Sequence, residues 1–342
     1  MPAYLQKHVL AWFDQHGRHD LPWQMPRDPY PVWLSEIMLQ QTQVITVIPY
    51  FNHLMARFPT VQHLAAAPID ELLSLWAGLG YYTRAKNLHR AARLIVAQGD
   101  FPNTLTTLMA LPGIGRSTAG AILAQAFNQY GVILDGNVRR VLIRFHALHG
   151  DPYSMALQTQ LWELATHYTP IKRSADYAQA MMDLGALICT RSKPQCSLCP
   201  LSKQCLGFSR AEIALLPTKR ISKKTPIKNT VMLVVRNTQQ QVLLVRRPLS
   251  GLWNGLWCLP EMNDQAQLDR WLTEQPLTLK QQQTLPSFRH TFSHFRLDIA
   301  ISLIDCTVNF EARWLTDYQW FSVDAALQLG IPAPVKKILL QL

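Results

Sequence analysis

The chain is short of acids, of scattered cysteines and of long apolar runs, and each shortage excludes something. Only 22 Asp and Glu stand against 33 Lys and Arg, a net charge of +11. So basic a balance disfavours cationic partners and favours a polyanion such as nucleic acid. No stretch of the 342 residues approaches the roughly 20 consecutive apolar residues of a membrane span, which leaves no membrane partner in view. Tyr4 to Phe13 has the pattern of an amphipathic helix and lacks a secretory core, so a cytoplasmic protein is expected. Repeats and low-complexity tracts are missing. With 48% hydrophobic and 16% charged residues, the chain should fold into two or three domains with ample core.

Of six cysteines, Cys258 and Cys306 lie apart, while Cys189, Cys196, Cys199 and Cys205 share one 17-residue window. Without a secretory signal a disulfide knot is disfavoured. The gaps are six, two and five residues, so only Cys196 and Cys199 form a close pair of the kind zinc sites repeat. Uneven gaps in a compact loop suit a cubane iron–sulfur cluster, with structural zinc as the alternative. Arg191, Lys193, Lys203 and Arg210 surround this loop and make it a surface for phosphate. Charge is concentrated in the same half: residues 1–225 hold 22 Lys and Arg against 13 acids, residues 226–342 hold 11 against 9.

Residues 1–205 read as successive helices. One is expected across Val32–Tyr50 and one opens at Pro68 and closes at Gly78 and Gly80. Others lie near 83–98, 104–110, 116–127, 137–149, 155–167 and 174–188. The polar, cationic stretch from Leu216 to Pro226 reads as a linker. Beyond it, 231–235 and 241–245 predict a hairpin. Further strands are expected at 256–259, 295–304 and 313–320, and helices near 265–273 and 333–341, an α+β domain.

Leu111-Pro112-Gly113-Ile114-Gly115-Arg116 lies between two helices, and Ser117 follows at once. Two glycines allow a tight turn, and the free N–H groups of the next helix suit a phosphate. An ordinary helix–helix turn is the bland alternative. Asp135 precedes a helix, where capping N–H donors should keep its carboxylate ionised; Asn137, Arg139 and Arg140 follow. Glu36 is the only charged residue between Asp28 and Arg57, counting His53 as neutral, and is expected to share a helix face with Gln40 and Gln43. Among Trp33, Leu34, Ile37 and Met38 it should be partly desolvated, with a raised pKa suited to a general acid. One raised and one depressed carboxylate is the division of labour of glycoside cleavage.

These stretches resemble the helix–hairpin–helix superfamily of base-excision DNA glycosylases. The four-cysteine loop is similar to that of its endonuclease III and MutY branches. Trp33–Val44, Gly78-Leu79-Gly80-Tyr81-Tyr82 and His290-Thr291-Phe292-Ser293-His294-Phe295 point to the MutY branch. The resemblance implies an all-α helix–hairpin–helix glycosylase region over 1–215, with a six-helix core about 20–130 and a cluster subdomain formed by 1–19 plus 131–215. A linker at 216–227 and a Nudix-like α+β domain at 228–342 follow. It implies a monomeric, nucleoid-associated DNA glycosylase that removes adenine opposite 8-oxoguanine or guanine from double-stranded DNA. In its roles, Glu36 protonates the leaving base, Asp135 stabilises the sugar cation and Asn137 supports it. Cys189, Cys196, Cys199 and Cys205 hold one [4Fe-4S] cluster, and Gly113, Gly115, Arg116 and Ser117 meet DNA. Gln41 and Tyr81 enter the base stack, Leu21 and Trp23 map to the adenine pocket, and Phe292, Ser293 and His294 inspect the oxidised guanine.

Ser117 stands where endonuclease III carries a lysine nucleophile, which implies a glycosylase without lyase chemistry. Residues 226–342 lack the glutamate run that a Nudix hydrolase needs for magnesium, so that fold is expected to recognise and not to hydrolyse. The rival readings are an endonuclease III-like glycosylase/lyase on damaged pyrimidines and a non-enzymatic iron–sulfur DNA-binding regulator.

Overall fold

The computed structural model of the chain describes residues 2–219, 225–248, 250–292, 294–308 and 317–342. They fall into two compact units, residues 1–66 with 87–221, and residues 67–86 with 222–342. The division departs from the expected boundary at one place. Segment 67–86, which carries Tyr81, belongs with the C-terminal unit and not with the rest of the helical region. Among the described residues no helix is long and apolar enough to cross a membrane.

In the first unit the elements are α1 (Pro2–His16), α2 (Pro29–Leu39), α3 (Val44–Arg57) and α4 (Val61–Ala66). Past α5 (Ile69–Leu75) come α6 (Thr83–Gln98), α7 (Leu105–Met109), α8 (Arg116–Phe127) and α9 (Gly136–Phe145). Then come α10 (Met155–Tyr168), α11 (Ser174–Asp183) and the single turn α12 (Leu206–Ser209). The one helix expected over 32–50 is two. Gln41 takes φ +59, a left-handed conformation that a side chain pays for sterically, and the chain turns there. The helix expected to run to 188 leaves α geometry after Asp183 and finishes as a π turn, Leu184–Ile188. The N-terminal helix packs against α10 and α11. Behind it Arg18 donates three times to the fully buried Asp183, once from its backbone N–H and twice from its guanidinium, and Asp183 also accepts from Gln179 at 2.8 Å. That carboxylate is a structural anchor.

Among the described residues the second unit is a seven-stranded mixed sheet with α13 (Gln265–Glu274), α14 (Val323–Leu327) and α15 (Ala333–Leu339). Its strands are β1 (Ile227–Arg236), β2 (Val242–Arg246), β3 (Trp257–Cys258), β4 (Glu261–Met262), β5 (Leu277–Thr291), β6 (Arg296–Val308) and β7 (Tyr318–Phe321). The order is β3-β2-β1-β6-β5, with β4 on β1 and β7 on β2. The expected hairpin is present, with Arg236 opposite Val242, and β1 runs parallel to β6 from Ile227/Arg296 to Arg236/Asp305. Leu233, Val235, Leu243, Ile304 and Cys306 form the core with Leu268 and Trp271 of α13. The first half of the strand expected at 313–320 lies outside the described residues, as do the linker residues 220–224, and its second half falls on β7.

Candidate active site

The carboxyl of Glu36 is set in a helix built to be enclosed. Asp28 caps α2 by accepting from the Tyr30 N–H at 2.9 Å, and Pro29 pre-sets its first turn. Val32, Trp33, Leu34, Ser35, Ile37 and Met38 are all buried around Glu36, which is itself half-buried. Burial, and then the negative charge of Asp135, push the Glu36 carboxyl up to about 8. Two acids far apart in sequence are therefore near enough to act on each other. The C-terminal end of α2 is also tied to the α7–α8 turn, where the Gln40 amide donates to the Gly113 carbonyl at 3.2 Å.

Asp135 departs from expectation. It caps α9 as foreseen, accepting from the Val138 N–H at 2.8 Å and from the Asn137 side chain at 3.1 Å. Yet its carboxyl is raised, not depressed, because burial outweighs the donors and the nearby Arg140 charge. A carboxylate taken from water has its charge little screened by solvent and so attracts a nearby cation strongly.

Asn137 is oriented from behind. Arg140 donates Nη2–H to Asn137 Oδ1 at 2.8 Å and to the Gly185 carbonyl at 2.7 Å, and Nε–H to the Cys189 carbonyl at 2.7 Å. Gly185 lies so close that a Cβ there would meet Asn137 Cβ at 2.6 Å. One helical turn along α9, the buried Arg144 donates to the carbonyls of Leu216, Cys189, Thr190 and Arg191 and contacts the Cys189 sulfur at 3.4 Å. Neither arginine was singled out for these roles from sequence, where Arg140 counted only as nearby positive charge. Their signal was the cationic run on the helix that begins at Asp135.

Cys189, Cys196, Cys199 and Cys205 line one small recess with Ile188, Phe208 and Ile213, and none is in a disulfide. Burial, with the neighbouring sulfurs, lifts Cys199 to about 12. Four soft donors around an apolar-walled recess match what an iron–sulfur cluster asks of its ligands. Among the described residues no three His, Cys, Asp or Glu are placed to hold a single metal ion.

In the hairpin Gly113 takes φ +83, and Gly115 precedes α8 without a side-chain cap. Both glycines and Arg116 are exposed, with the Arg116 guanidinium 4.1 Å over the Trp162 ring. Ser117 Oγ accepts from the Leu134 N–H at 2.9 Å and so braces the approach to Asp135. Gln41 is exposed at its left-handed turn. Leu21 and Trp23 are buried, Trp23 edge-on to Phe51 at 5.3 Å, so both pack the core. In the other unit Tyr81 is 45% exposed at φ +49, with the Arg84 guanidinium 5.2 Å from its ring. Phe292 is half-buried and His294 exposed where β5 gives way to β6; Ser293 lies outside the described residues.

Residues 34–167 match the HhH-GPD superfamily of base excision DNA repair proteins, and 231–341 match a NUDIX domain. An adenine DNA glycosylase of Buchnera aphidicola subsp. Baizongia pistaciae is 37% identical over 97% of this chain and 94% of its own length. The human adenine DNA glycosylase is also 37% identical, over 91% of this chain and 70% of its own. The chain belongs to the adenine DNA glycosylase family. This adenine DNA glycosylase is thus a base-excision repair enzyme, a hydrolase of N-glycosyl bonds acting on DNA. Its helical region is similar to a thermostable thymine-DNA glycosylase, with TM-score 0.56 and 27% identity over 61% of this chain and 97% of that one. A non-covalent endonuclease III–DNA complex, TM-score 0.52, 22% identical and covering 61% of this chain and 95% of the other, shares the fold. The NUDIX-like part carries only Asp269 and Glu274 as acids on α13.

Proposed function

We propose that this glycosylase removes adenine paired with 8-oxoguanine or guanine and leaves an abasic site in an unbroken strand. The observation that carries the reading is the electrostatic pairing of Glu36, raised to about 8, with the desolvated Asp135. Glu36, still protonated at neutral pH, gives its proton to adenine N7. The C1′–N9 bond then breaks with its electron pair leaving on the base, and water completes the sugar after losing a proton. Positive charge grows on the sugar as the bond stretches, and Asp135 answers it with a charge little quenched by solvent; the proton that the attacking water loses passes to the Glu36 carboxylate and restores the acid. Asn137 holds that carboxylate in place.

Cys189, Cys196, Cys199 and Cys205 hold one [4Fe-4S] cluster, which when bound cross-links the basic loop. Arg140 and Arg144 tie that loop to α9 and so to Asp135. The N-terminus of α8, with Gly113, Gly115 and Arg116, takes a DNA phosphate. Gln41 and Tyr81, each exposed at a positive φ that is costly for a side chain, enter the base stack, while Leu21 and Trp23 shape the wall behind the adenine site. Phe292, Ser293 and His294 read the oxidised guanine. Ser117 offers no amine and its hydroxyl is engaged by Leu134, which leaves no nucleophile for a Schiff base at that position. The enzyme acts as a monomer in the cytoplasm, on nucleoid DNA.

Single-turnover assays on duplexes with adenine opposite 8-oxoguanine, adenine opposite guanine, and thymine glycol opposite adenine test this. Excision of adenine from the first two and no cleavage of the third is expected. Thymine glycol release with strand cleavage would favour the endonuclease III-like reading.

A further inference from the structure

The loop Gly251-Leu252-Trp253-Asn254-Gly255 takes three positive φ angles in five residues: +84 at Gly251, +52 at Trp253 and +69 at Gly255. Glycine adopts them freely; for a tryptophan the left-handed region is a steric outlier that surrounding contacts must hold. Those contacts are present. The Gly255 N–H donates to the carbonyls of Arg247 and Pro248 at 3.2 and 3.0 Å, and the Leu256 N–H to that of Trp253 at 3.0 Å. From segment 67–86, Lys86 in the first turn of α6 donates Nζ–H to the Asn254 carbonyl at 2.5 Å. Asp70 pairs with Arg246 at 2.6 Å. The element bearing Tyr81 is thereby clamped to the loop bearing Trp253.

The strained backbone aims the indole at the β5–β6 junction. Trp253 is 7% exposed, and its ring lies 5.6 Å from Phe292 and 6.4 Å from His290. His290 stands edge-on to Phe292 at 4.6 Å, and Phe292 stacks on Phe295 at 4.4 Å. One face of Phe292 is thus occupied by Phe295, and the rings of Trp253 and His290, with His294 at 6.3 Å, also stand against it.

We infer that Trp253 is a specificity-determining positioning residue, which holds the Phe292 ring for the base opposite the adenine, with Lys86 locking its loop. This rests on the reading that Phe292 meets the oxidised guanine. An aromatic ring presented rigidly loses less freedom on meeting a base than a mobile one, so discrimination depends on the prop as well as on the ring.

The test is the ratio of single-turnover excision rates opposite 8-oxoguanine and opposite guanine, in the full-length protein. Phe292→Ala is expected to shrink the ratio about 5- to 30-fold, the range of one or two lost contacts. Trp253→Ala should approach the same loss while the rate opposite guanine stays within about twofold, Trp253→Phe should restore most of the ratio, and Lys86→Met should lose roughly threefold. Should Trp253→Ala fail to fold, Trp253→Leu and Lys86→Met carry the comparison, with melting temperature as the control. A wild-type ratio in the Trp253 variants beside a reduced one in Phe292→Ala overturns the positioning role alone. A wild-type ratio in Phe292→Ala overturns the reading of Phe292 itself, and with it the inference. Equal losses on both duplexes mean that Trp253 only stabilises the fold.

Discussion

Arg140 donates to the side-chain oxygen of Asn137 at 2.8 Å, and that bond decides which way the Asn137 amide faces. With its oxygen engaged, only the NH₂ group can point at Asp135, where it donates at 3.1 Å. The same guanidinium holds the carbonyls of Gly185 and Cys189, so the cysteine loop and the Asp135 carboxylate share one brace. Arg140→Leu should release the amide and leave buried carbonyls unpaired. We expect excision to fall at least tenfold, the effect of losing charge-assisted hydrogen bonds on the order of 1.5–3 kcal/mol. Single-turnover kinetics check this, and an unchanged rate would show that Asn137 needs no orienting.

Glu36 keeps its proton in the folded chain up to about pH 8, against 4.5 for the ordinary carboxyl. Between those values the folded state binds the extra proton. The stability it contributes is full below about pH 4.5 and is lost as the pH climbs towards 8. Glu36→Gln, neutral at every pH, should therefore gain on the wild type from pH 5 to pH 8 by on the order of 1–3 kcal/mol. Thermal melts of both proteins at the two pH values measure it. A constant difference would place Glu36 in an ordinary solvated environment.

Arg144 is 2% exposed and satisfies four carbonyls of the cysteine loop and its flank. Arg144→Met keeps much of the volume and orphans all four. A loss of about 3–5 kcal/mol is expected, the usual cost of removing one side of a buried charged network. Purified wild type should be brown, with roughly four irons per chain and little zinc, and the variant should retain less iron. A wild type loaded with zinc in place of iron would contradict the cluster.

Ser117→Lys would place an amine where the hydroxyl now accepts from Leu134. The wild type should give little borohydride-trapped adduct and a product cut only by alkali, and the variant should trap measurably more. Strand cleavage by the wild type without alkali would contradict the assignment.

The helical region was largely legible because its apolar positions recur at helical spacing and its turns are marked by Pro and Gly, as at Pro68 and Gly80. The break at Gln41 was not, since a left-handed glutamine leaves no compositional trace. Strand β5 was missed for another reason: Leu277–Thr291 is a polar, mostly exposed sheet edge with Lys280 and Pro286, so no alternating apolar pattern marks it. The raised Glu36 followed from its isolation among apolar neighbours. The direction at Asp135 did not, because capping donors are visible in sequence and the degree of enclosure is not. Segment 67–86 belongs with the C-terminal unit through Asp70–Arg246, Lys86–Asn254 and the close approach of Gly330 to Leu73, contacts that no local signal announces. Truncation at the linker would strip that segment of its partners, so point variants are the cleaner probes of the C-terminal unit.

The most direct measurement is single-turnover excision of adenine opposite 8-oxoguanine by Glu36→Gln, beside duplex binding by the same protein. The amide keeps the size and hydrogen bonding of the acid and removes the transferable proton. The account predicts a loss of at least the roughly 10²–10⁴-fold that general acid catalysis supplies, with affinity for the mispair close to wild type. Excision near the wild-type rate would contradict it.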